Sequence, residues 1–288
     1  MKKTLVMIML IIGMCFCLGT IKAEAAAEGG TYTLLISGIN RNSNSATYKD
    51  CIAIRKAWKQ NQYKRMNKSW HSLLCRYNAE NTSNNINSAW MNAKIKKEFK
   101  KSTANDTIIF YYSGHGTPNK GLLLRAGTSK QKSRTYSYKT LAKQLSKYKA
   151  RRIIVILDAC FAGAFYEQGL KKLSAYQQKR FIVYLSSNKY EQSYMGTEMS
   201  RFTAHMVDGL TLGNGGIRYA DFNRSGSISN KELGDYVSIQ LKTDLLHNNY
   251  PRWRFHYLYN YFVYNDTGTE NMNSVFIASN PKAIIFDY

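Results

Sequence analysis

Cysteine is scarce in this 288-residue chain: five in all, at positions 15, 17, 51, 75 and 160. The first two fall in an apolar leader, so Cys51, Cys75 and Cys160 remain, too few for a disulfide scaffold. Cys51 and Cys75 could pair, which would leave Cys160 free, but spacing alone does not decide it, because a disulfide needs specific geometry. Acidic residues are also scarce, 18 against 41 Lys and Arg, for a formal net charge of +23. That balance favours polyanionic surroundings, or else a solvated lysine surface. The basic residues are scattered and no nucleic-acid-binding module is visible, so no specific nucleic-acid partner is expected. After the leader no stretch is long and apolar enough to span a bilayer. No internal repeat is visible.

The leader itself is informative. Met1-Lys2-Lys3 precedes an apolar run over residues 5–21, then Ala23-Glu24-Ala25-Ala26-Ala27. A basic start, an apolar core and an Ala-x-Ala site read as a secretory signal peptide over residues 1–27, cut after Ala25 or Ala27. The alternative is an uncleaved membrane anchor. Export to the cell envelope or beyond is the expectation, where anionic cell-surface polymers are possible partners and no stable membrane span is left after cleavage. The remaining 260 or so residues suit an α/β domain over 28–245, with a Tyr-, Phe- and Asn-rich β extension over 246–288.

Two apolar runs organise that domain. Residues 106–112 (DTIIFYY) end in Ser113-Gly114-His115-Gly116, and residues 152–157 (RIIVIL) end in Asp158-Ala159-Cys160-Phe161-Ala162-Gly163. Neither alternates apolar and polar, so both read as strands of a parallel sheet buried on both faces. Residues 136–151 carry Leu141, Leu145 and Tyr148 at helical spacing, which makes a strand-helix-strand unit with its strands parallel and near neighbours. His115 and Cys160 then leave the same carboxyl edge, where ligands of open α/β sheets bind. A thiol and an imidazole there suit nucleophilic catalysis, and the flanking glycines let the chain turn sharply and a substrate come close. Either motif alone is weak, since a cysteine after a strand is often a small buried residue.

YYSGHG followed by IIVILDACFAG resembles the caspase-like cysteine peptidases, a group that includes caspases, metacaspases, clostripain-like enzymes and legumains. LLISGIN at 34–40, FIVYLSS at 181–187, Glu191-Gln192-Ser193-Tyr194 and Ser200-Arg201-Phe202-Thr203 extend the likeness over residues 31–241, loosely between 42 and 100. The resemblance implies an α/β three-layer sandwich with a mostly parallel central sheet flanked by helices. It implies Cys160 as nucleophile and His115 as the proton donor to the leaving amine. It also implies that the Gly116 and Cys160 N–H groups form the oxyanion hole, with no third acid assigned and polypeptides as substrates. It also bears on specificity. Metacaspases and clostripain-like enzymes carry an acid two residues before the nucleophile and prefer Arg or Lys, and Asp158 stands there. Asp158 could instead be a structural carboxylate, and Arg41 could be the remnant of a pocket for acidic residues. A catalytically silent binding protein on the same fold is the competing class. Family members are often cut between two subunits after the cysteine strand, and this chain has Lys171, Lys172, Lys179 and Arg180 in that place.

Elsewhere, residues 48–70 read as a helix with Cys51, Ile54, Ala57 and Trp58 on one face, residues 78–87 as a loop, and Ser88 as the N-cap of a helix to Phe99. The span 117–124 reads as a loop ending in a hairpin arm, and Ser200 opens a helix to about Leu212. His71, His205, His247 and His256 lack the glycine setting of His115. Residues 221–232 (DFNRSGSISNKE) match a calcium loop position for position. Asp221, Asn223, Ser225, Ser227 and Glu232 are the expected metal ligands, Gly226 is the turn residue and Ile228 the buried one. Ca2+ is the expected cofactor; no organic cofactor is implied. An entering helix is doubtful, the exit helix carries Tyr236, Val237 and Leu241, and the alternative is a vestigial loop that folds without metal.

Overall fold

The structure is a computed structural model that describes residues 29–38, 45–60, 69–78, 85–129, 132–196, 198–246, 274–278 and 284–287. The leader, Arg41, His247, His256 and most of the extension lie outside the described residues. At its centre is a six-stranded sheet. Strands β1 (Thr31–Ser37), β2 (Trp70–Arg76), β3 (Thr107–Ser113), β7 (Arg152–Asp158) and β8 (Phe181–Leu185) are parallel. An edge strand, β10 (Val275–Ala278), runs antiparallel on β8. The order is β10-β8-β7-β3-β1-β2.

Helices α1 (Ala46–Gln60), α2 (Ser88–Phe99), α3 (Tyr138–Ser146), α4 (Ala164–Gln168), α5 (Ala175–Gln178), α6 (Arg201–Gly209) and α7 (Asn230–Leu246) complete the layers. The faces follow from the period of two along each strand. Leu34, Ile36, Phe110, Tyr112, Val155 and Leu157 point to the side covered by α2, α3 and α4 through Met91, Ile95, Phe99, Leu141, Leu145 and Phe165. Leu35, Ile109, Tyr111, Ile154, Ile156 and Tyr184 point to the side covered by α1, α6 and α7 through Ile54, Trp58, Phe202, Met206, Leu233 and Val237. Both faces of β3 and β7 are therefore buried, which explains why their sequences do not alternate. The mixed three-layer architecture expected from the sequence is the one found.

Register places the chemistry. Ser37 stands opposite Ser113, and Ser113 opposite Asp158, so β1, β3 and β7 end in one row at the carboxyl edge. A small second sheet of β4 (Gly116–Thr117), β5 (Gly121–Arg125) and β6 (Arg134–Ser137) sits between β3 and α3. It contains the hairpin arm expected near residue 124. Tyr136, which the helical reading assigned to the linking helix, belongs to β6; Ser137 caps α3 by accepting the Thr140 N–H at 3.1 Å.

Other boundaries differ from the sequence reading. The helix expected over 48–70 covers Ala46–Gln60, and Trp70 opens β2 instead. Apolar residues at 70, 73, 74 and 77 fit a helical stripe as well as they fit a half-buried edge strand, and pairing with β1 decided between them. The N-cap of α2 is Asn87, whose side chain accepts the Trp90 N–H at 3.0 Å, one residue before the expected Ser88. Cys51 and Cys75 lie on opposite faces of the sheet as free thiols, so the pairing left open by spacing does not occur.

Candidate active site

β3 delivers His115 through a turn locked to the neighbouring strands. Gly114 N–H donates to the Asp158 carbonyl at 3.0 Å, and Gly38 N–H donates to the Ser113 carbonyl at 2.8 Å. His115 is exposed and Gly116 follows it as the first residue of β4. A methyl group added at Gly116 would stand 1.9 Å from the Cys160 carbonyl oxygen. No side chain fits there, and that contact is what the glycine permits: the His-Gly turn is seated directly on the main chain of Cys160. The structure thus brings His115, Gly116 and Cys160 together.

Cys160 sits on a strained turn. Phe161, the next residue, has φ of 59°, unusual for a bulky side chain. Its N–H donates to the Glu191 carbonyl at 2.7 Å. The hydroxyls of Ser186 and Ser187 cradle the same turn, accepting the Ala159 and Ala162 N–H groups at 3.0 and 3.2 Å and donating to the Ala159 carbonyl. Ser186 and Ser187 entered the sequence reading only as part of a motif. Their role follows from β8 ending beside β7, which no spacing in the sequence reveals. The half-buried Cys160 thiol faces the Ser193 carbonyl at 3.8 Å, and burial pushes its pKa up, so the resting group is a thiol that needs a base.

Asp158 is buried at the end of β7. Its carboxylate accepts from Ser193 Oγ at 3.0 Å, from Thr203 Oγ1 at 2.7 Å and from Ser200 Oγ. Ser200 is also the N-cap of α6, so the carboxylate stands at that helix N-terminus. A second carboxylate lies beside it. Asp50, fully buried on α1, accepts from Ser113 Oγ at 2.7 Å and from the Ser200 N–H at 2.9 Å. Burial first, then the Asp158 charge, push the Asp50 pKa up to about 8. Burial likewise raises Asp158. Asp50 was missed by the sequence reading. Its signal was there: it stands four residues before Ile54 on the apolar stripe of α1, where an acid needs a reason.

The calcium-loop residues are placed by a turn between α6 and α7. Gly226 has φ of 77° and Arg224 φ of 56°. Asp221 accepts the Ser225 and Gly226 N–H groups at 3.0 and 2.9 Å, and Asn223 accepts the Ser225 N–H at 2.9 Å. Ser225 Oγ lies 3.5 Å from Asp221 Oδ1, 3.1 Å from the Ser227 carbonyl and 3.0 Å from Ser227 Oγ, so these oxygens converge. Glu232 Oε2 accepts the Ser229 N–H at 2.8 Å, while Oε1 is buried with no hydrogen-bond partner. Residues 210–220 form turns rather than an entering helix. Strand β9 (Ser227–Ser229) pairs with β11 (Ile284–Asp287). Among the described residues no three His, Cys, Asp or Glu side chains group around a metal position; the donors of this loop are two carboxylates, an amide and hydroxyls.

Of the other described histidines, His71 stacks on Tyr32 and His205 pairs with Asp244 at 2.7 Å. Among the described residues no helix is long and apolar enough to cross a membrane.

A three-layer α/β sheet whose carboxyl edge carries the Cys160 turn, with the His115–Gly116 backbone seated on it, has the architecture expected of the caspase-like cysteine peptidases. Comparison with known proteins agrees. Residues 33–210, more than half the chain, match the Peptidase C13 family, and the chain belongs to that family. The fold is similar to the crystal structure of caspase-1 from Spodoptera frugiperda, with a TM-score of 0.54 at 13% identity over 88% of each chain. No curated protein matches. Family membership makes the chain a cysteine-type peptidase, with polypeptides as the substrate class.

Proposed function

We propose that this chain is a secreted cysteine endopeptidase in which Cys160 and His115 form the catalytic dyad. The observation that carries the reading is the seating of Gly116 on the Cys160 carbonyl, which fixes the imidazole-bearing turn against the nucleophile. His115 takes the thiol proton as Sγ attacks the scissile carbonyl carbon. The carbonyl oxygen becomes an oxyanion held by the Gly116 and Cys160 N–H groups. His115 then returns the proton to the leaving amine, leaving an acyl-enzyme that water hydrolyses by the same proton relay. Replacing Cys160 by Ala, or His115 by Ala, should abolish peptide cleavage with the melting curve preserved. A Cys160→Ala protein that kept most of its activity would end this reading.

The pocket for the residue before the scissile bond is assigned to Asp158 and Asp50 together. They share Ser200 as a hydrogen-bond donor, and burial raises the pKa of both, that of Asp50 to about 8. An Arg or Lys side chain supplies the missing positive partner, so cleavage after basic residues is the reading this pair supports. A library profile led by Asp would give the pocket to a basic residue such as Arg41.

Calcium at residues 221–232 belongs to the same proposal. Asp221, Asn223, Ser225, Ser227 and Glu232 would hold the ion, and the buried, unpartnered Glu232 Oε1 is the oxygen the loop leaves without a proton donor. The ion would supply charge balance and rigidity to the loop; no step of the chemistry passes through it. Isothermal titration with CaCl2 checks this: heat of binding in the native protein and none in Glu232→Ala is the expected pair of results, and no heat in either makes the loop vestigial. The leader and the net charge of +23 support the reading of an exported protein that meets anionic surface polymers.

A further inference from the structure

The peptide bond between His115 and Gly116 has two ends with different duties. Its N–H is the proposed oxyanion donor. Its C=O takes two hydrogen bonds, from Leu123 N–H at 2.9 Å and from the Tyr112 hydroxyl at 2.8 Å. A trans peptide is planar, and its C=O and N–H point in opposite directions. The Leu123 bond aims the carbonyl at β5, so the Gly116 N–H points out of that ladder. Gly116 stands opposite Leu122 at a position that makes no ladder bond of its own, which keeps the N–H available.

Tyr112 is fully buried, and its hydroxyl occupies a space that two glycines leave open. A methyl group at Gly38 would be 2.7 Å from that oxygen and one at Gly114 2.6 Å. Tyr77 completes the arrangement. Its hydroxyl lies 2.7 Å from the Leu123 carbonyl and 3.2 Å from the Tyr112 hydroxyl. Each tyrosine has one proton to give. The short contacts assign the Tyr77 proton to Leu123 and the Tyr112 proton to His115. Burial holds the Tyr112 phenol well above its ordinary pKa, so it stays a donor at any working pH.

We propose that Tyr112 is a positioning residue of the oxyanion hole: its hydroxyl fixes the plane of the His115–Gly116 amide and polarises it, making the Gly116 N–H a stronger donor to the developing oxyanion. Hydrogen bonds in series strengthen one another, and a donor at the carbonyl end of an amide adds positive charge at its N–H end. The inference rests on the peptidase reading above.

The test compares Tyr112→Phe with Tyr77→Phe in the full mature chain, with rates expressed per Cys160 thiol titrated. Losing one of the two bonds to the carbonyl should lower kcat for an Arg-terminated peptide amide by about three- to tenfold, less than the loss of a whole oxyanion donor, with KM little changed. The inhibition constant of the matching peptidyl aldehyde, whose adduct puts its oxygen in the hole, should rise by a similar factor. Alkylation of Cys160 by iodoacetamide needs no oxyanion, so its rate and pH profile should not move. Tyr77→Phe should lower the melting temperature and leave kcat within about twofold, because its proton goes to Leu123. Should Tyr112→Phe yield no titratable thiol, Gly38→Ala, which crowds the same hydroxyl, carries the same set of readouts. Alkylation that slows in parallel with turnover, or an aldehyde constant that stays put while kcat falls, overturns the proposal by making Tyr112 a packing residue. Wild-type protein that alkylates at Cys160 yet binds no aldehyde and cuts no peptide overturns the peptidase reading itself.

Discussion

Asp50 shows how one residue carries several consequences. Its carboxyl is buried, accepts two hydrogen bonds and faces the charge of Asp158, so its pKa rises to about 8 in the fold. An unfolded aspartate titrates near 4. Between those values the folded state binds the extra proton, so stability falls as pH rises. The Asp50 contribution is full below about 4 and lost as pH climbs through about 8. Urea midpoints measured from pH 5 to pH 8.5 should therefore decline for this chain and decline less for Asp50→Asn. In the proposed reading the same pair also sets specificity. A basic side chain bound beside the pair favours ionised Asp50, so KM for Arg substrates should fall as pH rises toward 8. Substrates ending in Arg or Lys should beat those ending in Asp by about a hundredfold or more, since a desolvated charge left unpaired costs about 3–5 kcal/mol. Asp158→Asn should shrink that ratio at least tenfold without slowing Cys160 alkylation. Equal rates on Arg and Asp substrates in the unmodified protein would remove the pair from the pocket.

At the scale of elements, the segment after Cys160 and the calcium loop behave differently from what composition alone suggests. Residues 171–180 look like a polar linker, yet they contain a 3-10 turn at Leu170–Lys172 and α5, whose Ser174 and Gln177 form a reciprocal capping box. Lys171 pairs with Glu167 and lies over the Tyr166 ring. Arg180 donates to the carbonyls of Ser146, Tyr148 and Ala150, tying the start of β8 to the end of α3. Lys172 is the exposed basic residue with no such anchor among the contacts described, and local opening is cheapest there. Self-cleavage, if the active preparation performs it, should fall after Lys172 or Lys171 and not after Arg180. Intact-mass and N-terminal analysis of active protein checks it; a chain that remains whole shows that two subunits are not needed here. Residues 221–232, the proposed calcium loop, lead into α7, which brings Tyr236, Val237 and Leu241 into the layer shared with α1 and α6. With a Kd of about 10⁻⁴ M, calcium at about 10 mM is a hundredfold excess and stabilises the folded state by about 2.7 kcal/mol, so it should raise Tm by roughly 5–10 °C over chelator. Glu232→Ala should abolish that difference, and identical curves with calcium and chelator would leave the loop without a metal.

At the scale of the whole molecule, what could be read from sequence depended on how strongly one force dominated each stretch. β3 and β7 are buried on both faces, so their apolar runs announced strands, and the abrupt stop at Ser113 and Asp158 announced the sheet edge. The proposed dyad was legible as a candidate because its glycines and its cysteine sit where those runs end. β2 was not, because an edge strand is only half buried and residues 70–77 satisfy two periods at once. The Asp50–Asp158 pair was half legible: Asp158 is tied to Cys160 along one strand, whereas Asp50 meets it only through the packing of α1 on the sheet. Tyr112 read as one more apolar residue of β3; its hydroxyl acquires meaning only where β5 folds back over the His115 carbonyl. The β character of the extension was expected, but the antiparallel pairing of β10 on β8 was not, since pairing across some ninety residues leaves no local mark.

The central claim is that Cys160, served by His115, attacks the carbonyl of a basic residue. The most direct measurement treats the mature protein with an Arg-terminated peptidyl chloromethyl ketone, then locates the adduct by mass spectrometry. The account predicts one adduct per chain, on Cys160, lost in Cys160→Ala, strongly slowed in His115→Ala, and slow to form with the Asp-terminated probe. An adduct on Cys51 or Cys75 in place of Cys160, or no adduct on a folded protein, would contradict it.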